Sequence, residues 1–252
     1  MKSLFIVGSG KCGESFLNKL FKNHKNFECY DESRPLLQSY YKFIKYNNLK
    51  VDDDPFFSTI KRAINNSNKR KKIYLESSSF LSFHISDLVK KFNSKIIILI
   101  RNPNNVSQDL IASGWYKSKY HKSDNNFALG YQGLATNAHN KHHNFSRIAP
   151  RNKYFSKWNK FQPVIKAKWY WDEVNRDLLI SSKRINKLNY KIFKIEQCRL
   201  YTTSVHDQSV IIDNQLIDGP SFQLRIDKND KLYARNNGDI SENIVLKISG
   251  IW

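Results

Sequence analysis

Glycine, lysine and serine residues near the start of the chain are spaced in a way that suits anion binding. In the segment FIVGSGKCGESFLNKLF (residues 5–21), Gly8 and Gly13 bracket a short turn that contains Lys11. A glycine turn that opens a helix points several backbone N–H groups and the positive end of the helix dipole at one place. The pattern predicts a phosphate or sulfate site with the Lys11 ammonium folded over the anion. A tight turn without a ligand would use the same residues.

The same turn differs from an ATP-binding phosphate loop at one decisive position. Such a loop places a lysine directly after its second glycine and a hydroxyl after that lysine. Gly8, Gly13 and Ser15 have the required spacing, but Glu14 stands where the lysine belongs. The chain also offers no clear magnesium-binding aspartate at the end of a predicted strand. A kinase or related phosphotransferase is therefore disfavoured.

Apolar and amphipathic segments alternate along the chain and put this turn at the edge of a sheet. The predicted strands are 3–7, 71–79, 94–103 and 190–196, and the predicted helices are 14–24, 80–92, 104–116 and 164–188. This alternation indicates an α/β fold in which helices flank a parallel sheet. Ligands of such sheets bind beyond the carboxyl ends of the strands, where Gly8–Ser15, Glu76–Ser79 and Arg101–Pro103 would meet.

The composition is strongly basic. Among 252 residues, 42 Lys and Arg outnumber 22 Asp and Glu, which gives a formal net charge of +20. Such a surface attracts phosphorylated or sulfated partners, nucleic acid included, but a merely solvated surface rich in Lys and Asn would carry the same charge. The length favours one domain. We interpret the polar, basic and aromatic stretch 116–163 as an insertion or lid within it.

Cysteine spacing and hydropathy argue against a disulfide-rich protein and a membrane-spanning protein. The three cysteines are widely spaced and indicate neither a disulfide framework nor a metal site. The HNKHH motif at 139–143 lacks acidic or cysteine partners at ligand spacing, so no metal is expected. The first apolar run is too short for a signal peptide, and no segment approaches a transmembrane helix. We therefore expect a cytoplasmic protein that does not enter a membrane.

Two motifs at the predicted sheet edge resemble those of the PAPS-dependent sulfotransferases. Lys11-Cys12-Gly13-Glu14-Ser15 is similar to the loop that binds the 5′-phosphosulfate of the donor, 3′-phosphoadenosine 5′-phosphosulfate (PAPS), through its basic residue, its glycine and its last hydroxyl. IILIRNPNNV (97–106) is similar to the strand whose final arginine, here Arg101, binds the 3′-phosphate. A guanidinium can bind a phosphate through two parallel hydrogen bonds.

The resemblance covers about residues 3–115 and 164–200. It implies a three-layer fold like that of the P-loop nucleoside-triphosphate hydrolases. It also implies transfer of a sulfuryl group to a hydroxyl, with 3′-phosphoadenosine 5′-phosphate (PAP) as the product and no metal. The aromatic segment WYWDEVNRDLL (169–179) and a strand ending at Glu196 extend the likeness. Trp169, Tyr170 and Trp171 are expected in the core.

A local resemblance to the protein-tyrosine sulfotransferases identifies a candidate base. Without gaps, the segment NHKNFECYDESRPLL (23–37) aligns the family's catalytic glutamate with Glu32 and its substrate-contacting arginine with Arg34. Sulfuryl transfer needs a group that takes the acceptor proton and a charge that stabilises the leaving phosphate. We expect Glu32 to be the base and Lys11 to supply the charge. A helix-capping carboxylate is the alternative for Glu32.

Three acidic residues depart from the family pattern. Glu14 replaces a hydroxyl beside the phosphosulfate, so we expect its carboxylate to point away and its backbone N–H to bind. Glu76 replaces a lysine that stabilises the leaving phosphate, which makes it a second candidate base or a residue that positions the acceptor. Asp109 replaces a serine that contacts the 3′-phosphate, and Ser107 could substitute for it.

The last part of the chain resembles the family only loosely. KNDKLYARNNGDI (228–240) is similar to a C-terminal loop that closes over the 3′-phosphate, with Arg235 and Gly238 as the best matches. The resemblance makes Arg235 a further candidate for donor binding.

Three functions fit these residues, and a PAPS-dependent sulfotransferase fits most of them. A carbohydrate or anionic polymer suits as acceptor, because aromatic residues stack on sugars and Lys or Arg pairs with anions; a peptide tyrosine fits less well. Nucleic acid is not expected as a partner. The alternatives are a P-loop kinase and a binding protein for PAP or polyanions that no longer turns over. The second is motivated by Glu14, Glu76 and Asp109.

Overall fold

The computed structural model describes residues 2–116, 147–151, 155–158 and 160–202, and four later strands whose backbone alone is described. Most of the predicted insertion, including the HNKHH motif, lies outside the described residues. Among the described residues, no helix is both long and apolar enough to span a bilayer.

Five parallel strands form the central sheet in the order β2–β3–β1–β4–β5. They are β1 (Ser3–Gly8), β2 (Phe27–Asp31), β3 (Ile73–Ser77), β4 (Lys95–Ile100) and β5 (Tyr190–Lys194). The predicted α/β fold is confirmed. Strand β2 was not predicted, because FECYD is short and only half-buried at the sheet edge and so lacks an apolar run.

Helices flank this sheet and connect its strands. They are α1 (Glu14–Lys22), α2 (Pro35–Asn47), α3 (Asp54–Lys69), α4 (Ile85–Phe92), α5 (Pro103–Ala112), the short α6 (Phe155–Trp158) and α7 (Pro163–Ser182). Short 3₁₀ turns span Ser79–His84, Lys187–Asn189 and Ile195–Gln197. The four predicted helices are present, whereas the sequence analysis did not identify α2 and α3.

The centre of the sheet is the centre of the hydrophobic core. Phe5, Ile6 and Val7 of β1 are fully buried, which explains the unbroken apolar run of that strand. Burial of each such side chain contributes about 1.5–3 kcal/mol. The core therefore fixes β1, and with it the position of the glycine turn that follows.

Helix α7 packs against α4 and α5 with one face fully buried. Tyr170, Val174 and Leu178 lie on that face, and Trp169 and Trp171 pack against the core from its border. The expectation that these aromatic residues lie in the core is confirmed for Tyr170, whereas Trp169 and Trp171 are only partly buried. Trp171 also donates its indole N–H to the carbonyl oxygen of Arg101 at 2.9 Å, so α7 holds the end of β4 in place.

A second, antiparallel sheet follows the first. Its order is β6 (Cys198–Thr202), β7 (Gln208–Ile212), β8 (Phe222–Ile226), β9 (Leu232–Asn236) and β10 (Ile244–Leu246). Arg235, predicted to lie in a loop, instead lies in β9, with its Cα paired opposite Gln223. Gly238 lies outside the described residues. Neither this sheet nor its strands were predicted from the sequence.

Candidate active site

The carboxyl ends of the parallel strands bring three separate chain segments together. Gly8 at the end of β1 pairs in register with Leu99 of β4, and Ile6 pairs with Ser77 of β3. Asp31 at the end of β2 also lies opposite Ser77. The segments expected to meet at this edge therefore do so.

The glycine turn is built from left-handed backbone conformations. Gly10, Lys11 and Gly13 have φ angles of 87°, 59° and 94°, which glycine adopts freely and lysine adopts at a cost. Gly13 precedes α1, and its carbonyl accepts the first helical hydrogen bond from Leu17 at 3.0 Å. The side chains of Lys11 and Ser15 are exposed. The turn thus has the shape of an anion-binding loop with Lys11 at its mouth.

Glu14 occupies this loop with its own carboxylate. Oε1 accepts a hydrogen bond from the backbone N–H of Gly10 and Oε2 accepts one from Cys12, both at 2.9 Å. The residue is 7 % exposed, and burial raises the pKa of its carboxyl. The expectation that Glu14 points away is wrong. Buried backbone amides need a hydrogen-bond acceptor. Inside the turn, the Glu14 carboxylate accepts a charge-assisted hydrogen bond from each of two such amides.

Close packing surrounds the occupied loop. A Cβ atom on Gly8 would lie 2.6 Å from Oε1 of Glu14, and one on Gly13 would lie 2.9 Å from Cδ1 of Ile195. The Cys12 thiol is fully buried and bonds Ser9 Oγ at 3.2 Å. Burial raises the pKa of Cys12 to about 12, so the group is a neutral thiol.

Glu32 lies directly beyond β2 and faces the same space. It has a φ angle of 44°, a left-handed conformation that is strained for glutamate, and its N–H donates to the Ser77 carbonyl at 2.9 Å. The Ser79 hydroxyl donates to Oε1 at 3.1 Å. Burial raises the pKa of Glu32 to about 7, near the value that suits a general base at neutral pH.

Glu76 is buried beneath the segment that carries Glu32. Its Oε1 accepts hydrogen bonds from the N–H and hydroxyl of Ser33, at 3.1 and 2.6 Å, and from Gln38 Nε2 at 2.6 Å. Its Oε2 accepts from the Tyr74 hydroxyl at 2.5 Å. With no exposed surface and four donors, Glu76 is placed to hold the turn after β2 and not to meet an acceptor directly.

Lys42 is the charged residue of this region that sequence reasoning missed. It is fully buried on α2, and its ammonium donates to the Tyr170 hydroxyl at 2.6 Å and to the Ser79 carbonyl at 3.2 Å. Burial lowers its pKa to about 7, while the negative charges of Glu32 and Glu14 oppose that shift. Gln38 lies one helical turn before it on the same buried face, a polar pair that could have drawn attention to this helix.

Arg101 bridges the loop and helix α5. Its Nη1 donates to the Lys11 carbonyl at 2.8 Å and to Oδ2 of Asp109 at 2.5 Å. Asp109 therefore faces the arginine, and its charge competes with any phosphate that the guanidinium would bind. Ser107 is fully buried, and its hydroxyl donates to the Pro103 carbonyl at 2.6 Å.

Arg34 lies further from this network. It immediately precedes α2, is exposed, and donates to the Thr59 carbonyl at 3.3 Å. Among the described residues, one group of three side chains is close enough together to hold a metal ion. It consists of Asp52, Asp53 and Asp54, around the start of α3. This cluster shares no residue with the sheet edge.

Two solved structures and one family model are similar to this chain. One similar solved structure is a sulfotransferase domain from the curacin biosynthetic pathway, with a TM-score of 0.44 and 13 % identity over 77 % of this chain and 67 % of that one. Another is the sulfotransferase domain of the Synechococcus PCC 7002 olefin synthase, with a TM-score of 0.42 and 12 % identity over 77 % and 66 %. A search of curated proteins found no match. The family model described as "Sulfotransferase domain" matches residues 1–178. The chain therefore belongs to the sulfotransferase family.

Proposed function

We propose that the protein transfers a sulfuryl group from PAPS to an acceptor hydroxyl, with Glu32 as the general base. The observation that carries the proposal is the setting of Glu32, whose partly buried carboxyl has a pKa raised to about 7 and lies at the sheet edge beside the glycine turn. At neutral pH a substantial fraction of a base with this pKa is deprotonated and able to accept a proton. The carboxylate is also basic enough to drive the proton transfer.

The glycine turn fits the anionic end of such a donor. Two of its backbone amides already bind the two oxygens of one carboxylate, so the turn is suited to an anion with oxygens at similar spacing. The donor supplies an activated sulfuryl group attached to a phosphate oxygen. Lys11, the loop amides and Ser15 would hold that phosphosulfate and stabilise the charge that develops on the leaving phosphate.

The residues divide the chemistry between them. Glu32 would take the acceptor proton as the acceptor oxygen forms its bond to sulfur and the bond between sulfur and the phosphate oxygen breaks. Arg101 would bind the 3′-phosphate in competition with Asp109. Arg235, in β9, is a further candidate for contact with that phosphate, whereas the buried Ser107 hydroxyl already donates to Pro103. Glu76 and Ser33 would hold Glu32 in its left-handed conformation.

For the acceptor, we propose a carbohydrate or an anionic polymer. The support is the net charge of +20, which favours an acceptor that carries negative groups. Arg34 is exposed next to the segment of Glu32 and could contact such a group. A peptide tyrosine remains the second candidate, on the match of Glu32 and Arg34 alone.

Two measurements test the donor and the base. In calorimetric titrations we expect PAP to bind more tightly than ADP or ATP–magnesium, and Arg101→Ala to abolish that preference. We expect Glu32→Gln to bind PAP normally but to reduce sulfuryl transfer from labelled PAPS by about 10²–10⁴-fold. A preference for ATP–magnesium, or full activity of Glu32→Gln, would refute the corresponding assignment.

The second candidate function is a binding protein for PAP or polyanions without turnover. Two observations favour it: Glu14 occupies the loop, and Arg101 is paired with Asp109. Tight PAP binding without transfer to any of a panel of sulfated and unsulfated glycans would select this function. Turnover on any one of them would exclude it.

A further inference from the structure

The anion-binding turn of this protein carries its own anion. The two oxygens of the Glu14 carboxylate bind two different loop amides, those of Gly10 and Cys12, each at 2.9 Å. Glu14 is the first residue of α1, so the carboxylate also lies in the positive field of the helix N-terminus. The contacts are those that a bound phosphate or sulfate would make with the same turn.

The seat of this carboxylate is closely fitted. Gly8 leaves the space for it, because a Cβ atom at that position would lie 2.6 Å from Oε1. The residue is 7 % exposed, and the buried ammonium of Lys42 provides an opposite charge that favours the ionised carboxyl. A side chain packed this specifically is a defined part of the loop and not a surface group that happens to touch it.

A donor anion and this carboxylate cannot both use the loop. Gly10 and Cys12 each have one backbone N–H, and both are already donated to Glu14. Two negative groups within about 4 Å of each other in a buried site also repel strongly. Binding of a phosphate to these two amides therefore requires the Glu14 side chain to leave.

We propose that the Glu14 carboxylate is a displaceable internal anion that sets the affinity and selectivity of the loop for its donor. This inference rests on the proposed function for the identity of the donor. While its carboxylate lies in the loop, Glu14 satisfies the loop amides and keeps the turn in its binding shape. An anion that replaces it gains a preformed site and the charge of Lys42, but must compete with a tethered carboxylate. Weakly held or singly charged anions are thereby excluded.

The test compares ligands that do and do not reach the turn. PAP carries both a 3′- and a 5′-phosphate, 3′-AMP lacks the 5′-phosphate, and inorganic pyrophosphate probes the loop without a nucleotide. Each is titrated by calorimetry into the wild type, Glu14→Gln and the control Asp172→Asn. Asp172 has a carboxylate 63 % exposed on α7, so its replacement removes the same charge away from the loop.

We expect Glu14→Gln to bind PAP and pyrophosphate at least tenfold more tightly than the wild type, with 3′-AMP unchanged. Asp172→Asn should leave all three affinities within twofold. Equal or weaker binding of both PAP and pyrophosphate to folded Glu14→Gln would overturn the inference. Tighter pyrophosphate binding without any PAP binding would support the inference and refute the proposed donor.

A measurement on the wild type keeps the inference testable if Glu14→Gln does not fold. Addition of pyrophosphate to protein labelled with ¹³C and ¹⁵N should shift the Glu14 side-chain carboxyl resonance together with the Gly10 and Cys12 amides. Shifts of the two amides without any change at the Glu14 carboxyl would show that the carboxylate stays in place, and would overturn it.

Discussion

The hydroxyl of Ser79 donates to Oε1 of Glu32 at 3.1 Å, while the carbonyl of the same serine accepts from the buried ammonium of Lys42. Ser79, at the start of a 3₁₀ turn, thus connects the candidate base Glu32 to the buried ammonium of Lys42. The hydrogen bond from Ser79 lowers the pKa of Glu32 and opposes the larger effect of burial. Ser79 therefore tunes the candidate base.

Replacement of Ser79 by alanine should raise the pKa of Glu32 further. Loss of one hydrogen bond to a carboxylate corresponds to roughly one pH unit. The acidic limb of the pH profile of kcat/KM should move to higher pH by that amount, and a ¹³C titration of the Glu32 carboxyl should show the same shift without a substrate. Ser82→Ala is the matched control, because that buried hydroxyl donates to the Ser79 carbonyl and not to Glu32. An unchanged titration in Ser79→Ala would contradict the tuning role.

Stability should depend on pH in opposite directions on either side of neutrality. Burial raises the pKa of Glu32 from 4.5 to about 7, so the folded protein holds a proton that the unfolded chain loses in that window. Stability therefore falls from pH 4.5 to 7. Burial lowers the pKa of Lys42 from 10.5 to about 7, so the unfolded chain binds the extra proton between those values and stability rises with pH.

Urea unfolding of the wild type, Glu32→Gln and Lys42→Met across pH 5–10 measures these two contributions. The first variant should reduce the falling limb, to which the raised pKa of Glu14 also contributes, and the second should reduce the rising limb. Parallel pH profiles for the wild type and both variants would show that neither group titrates abnormally.

The Arg101–Asp109 pair should weaken selectivity for a 3′-phosphate. Both side chains are partly exposed, at 29 % and 47 %, so the pair is worth no more than about 1 kcal/mol. Asp109→Asn should therefore increase PAP affinity by up to about fivefold and leave ADP affinity unchanged. Calorimetry with the two nucleotides checks the ratio. An equal gain for both would show that the effect is general electrostatics and not a 3′-phosphate site.

Glu76→Gln should destabilise the fold strongly. The carboxylate is buried and accepts four hydrogen bonds, so loss of its charge and the mismatch of a new NH₂ group should cost about 3 kcal/mol. The control is Glu28→Gln, whose solvent-screened pair with the exposed Arg70 should contribute much less. Denaturant unfolding distinguishes them, and similar losses in both variants would argue against a structural role specific to Glu76.

The sequence predicted the part of the fold that depends on local pattern. Apolar runs such as that of β1 identify strands buried on both faces, and the glycines of the turn are required by left-handed backbone geometry. Those two features were enough to place the site at the carboxyl edge of a parallel sheet. Strand β2, α2 and α3 were missed, and β2 at least carries a mixed, half-buried pattern that local reasoning does not separate from a loop.

The direction of individual side chains could not be predicted in the same way. Glu14 points into the turn because buried amides need an acceptor. The expectation that it points away took account of its repulsion of a bound anion but not of these amides. The contacts of Lys42 could not be predicted, because its partners, Ser79 and Tyr170, come from distant parts of the chain. Both residues are explained by burial, which only the assembled fold reveals.

The packing of Ile195 against Gly13 has a consequence for the order in which parts of the protein fold. The turn precedes Arg101 and Ile195 by many residues in the chain, yet it contacts both of them. Strand β1 likewise pairs with β3 and β4, so its neighbours are synthesised long after it. Contacts this distant in sequence form slowly. During translation, the contacts of the loop with Arg101 and Ile195 can therefore form only after the strands of the central sheet have been synthesised.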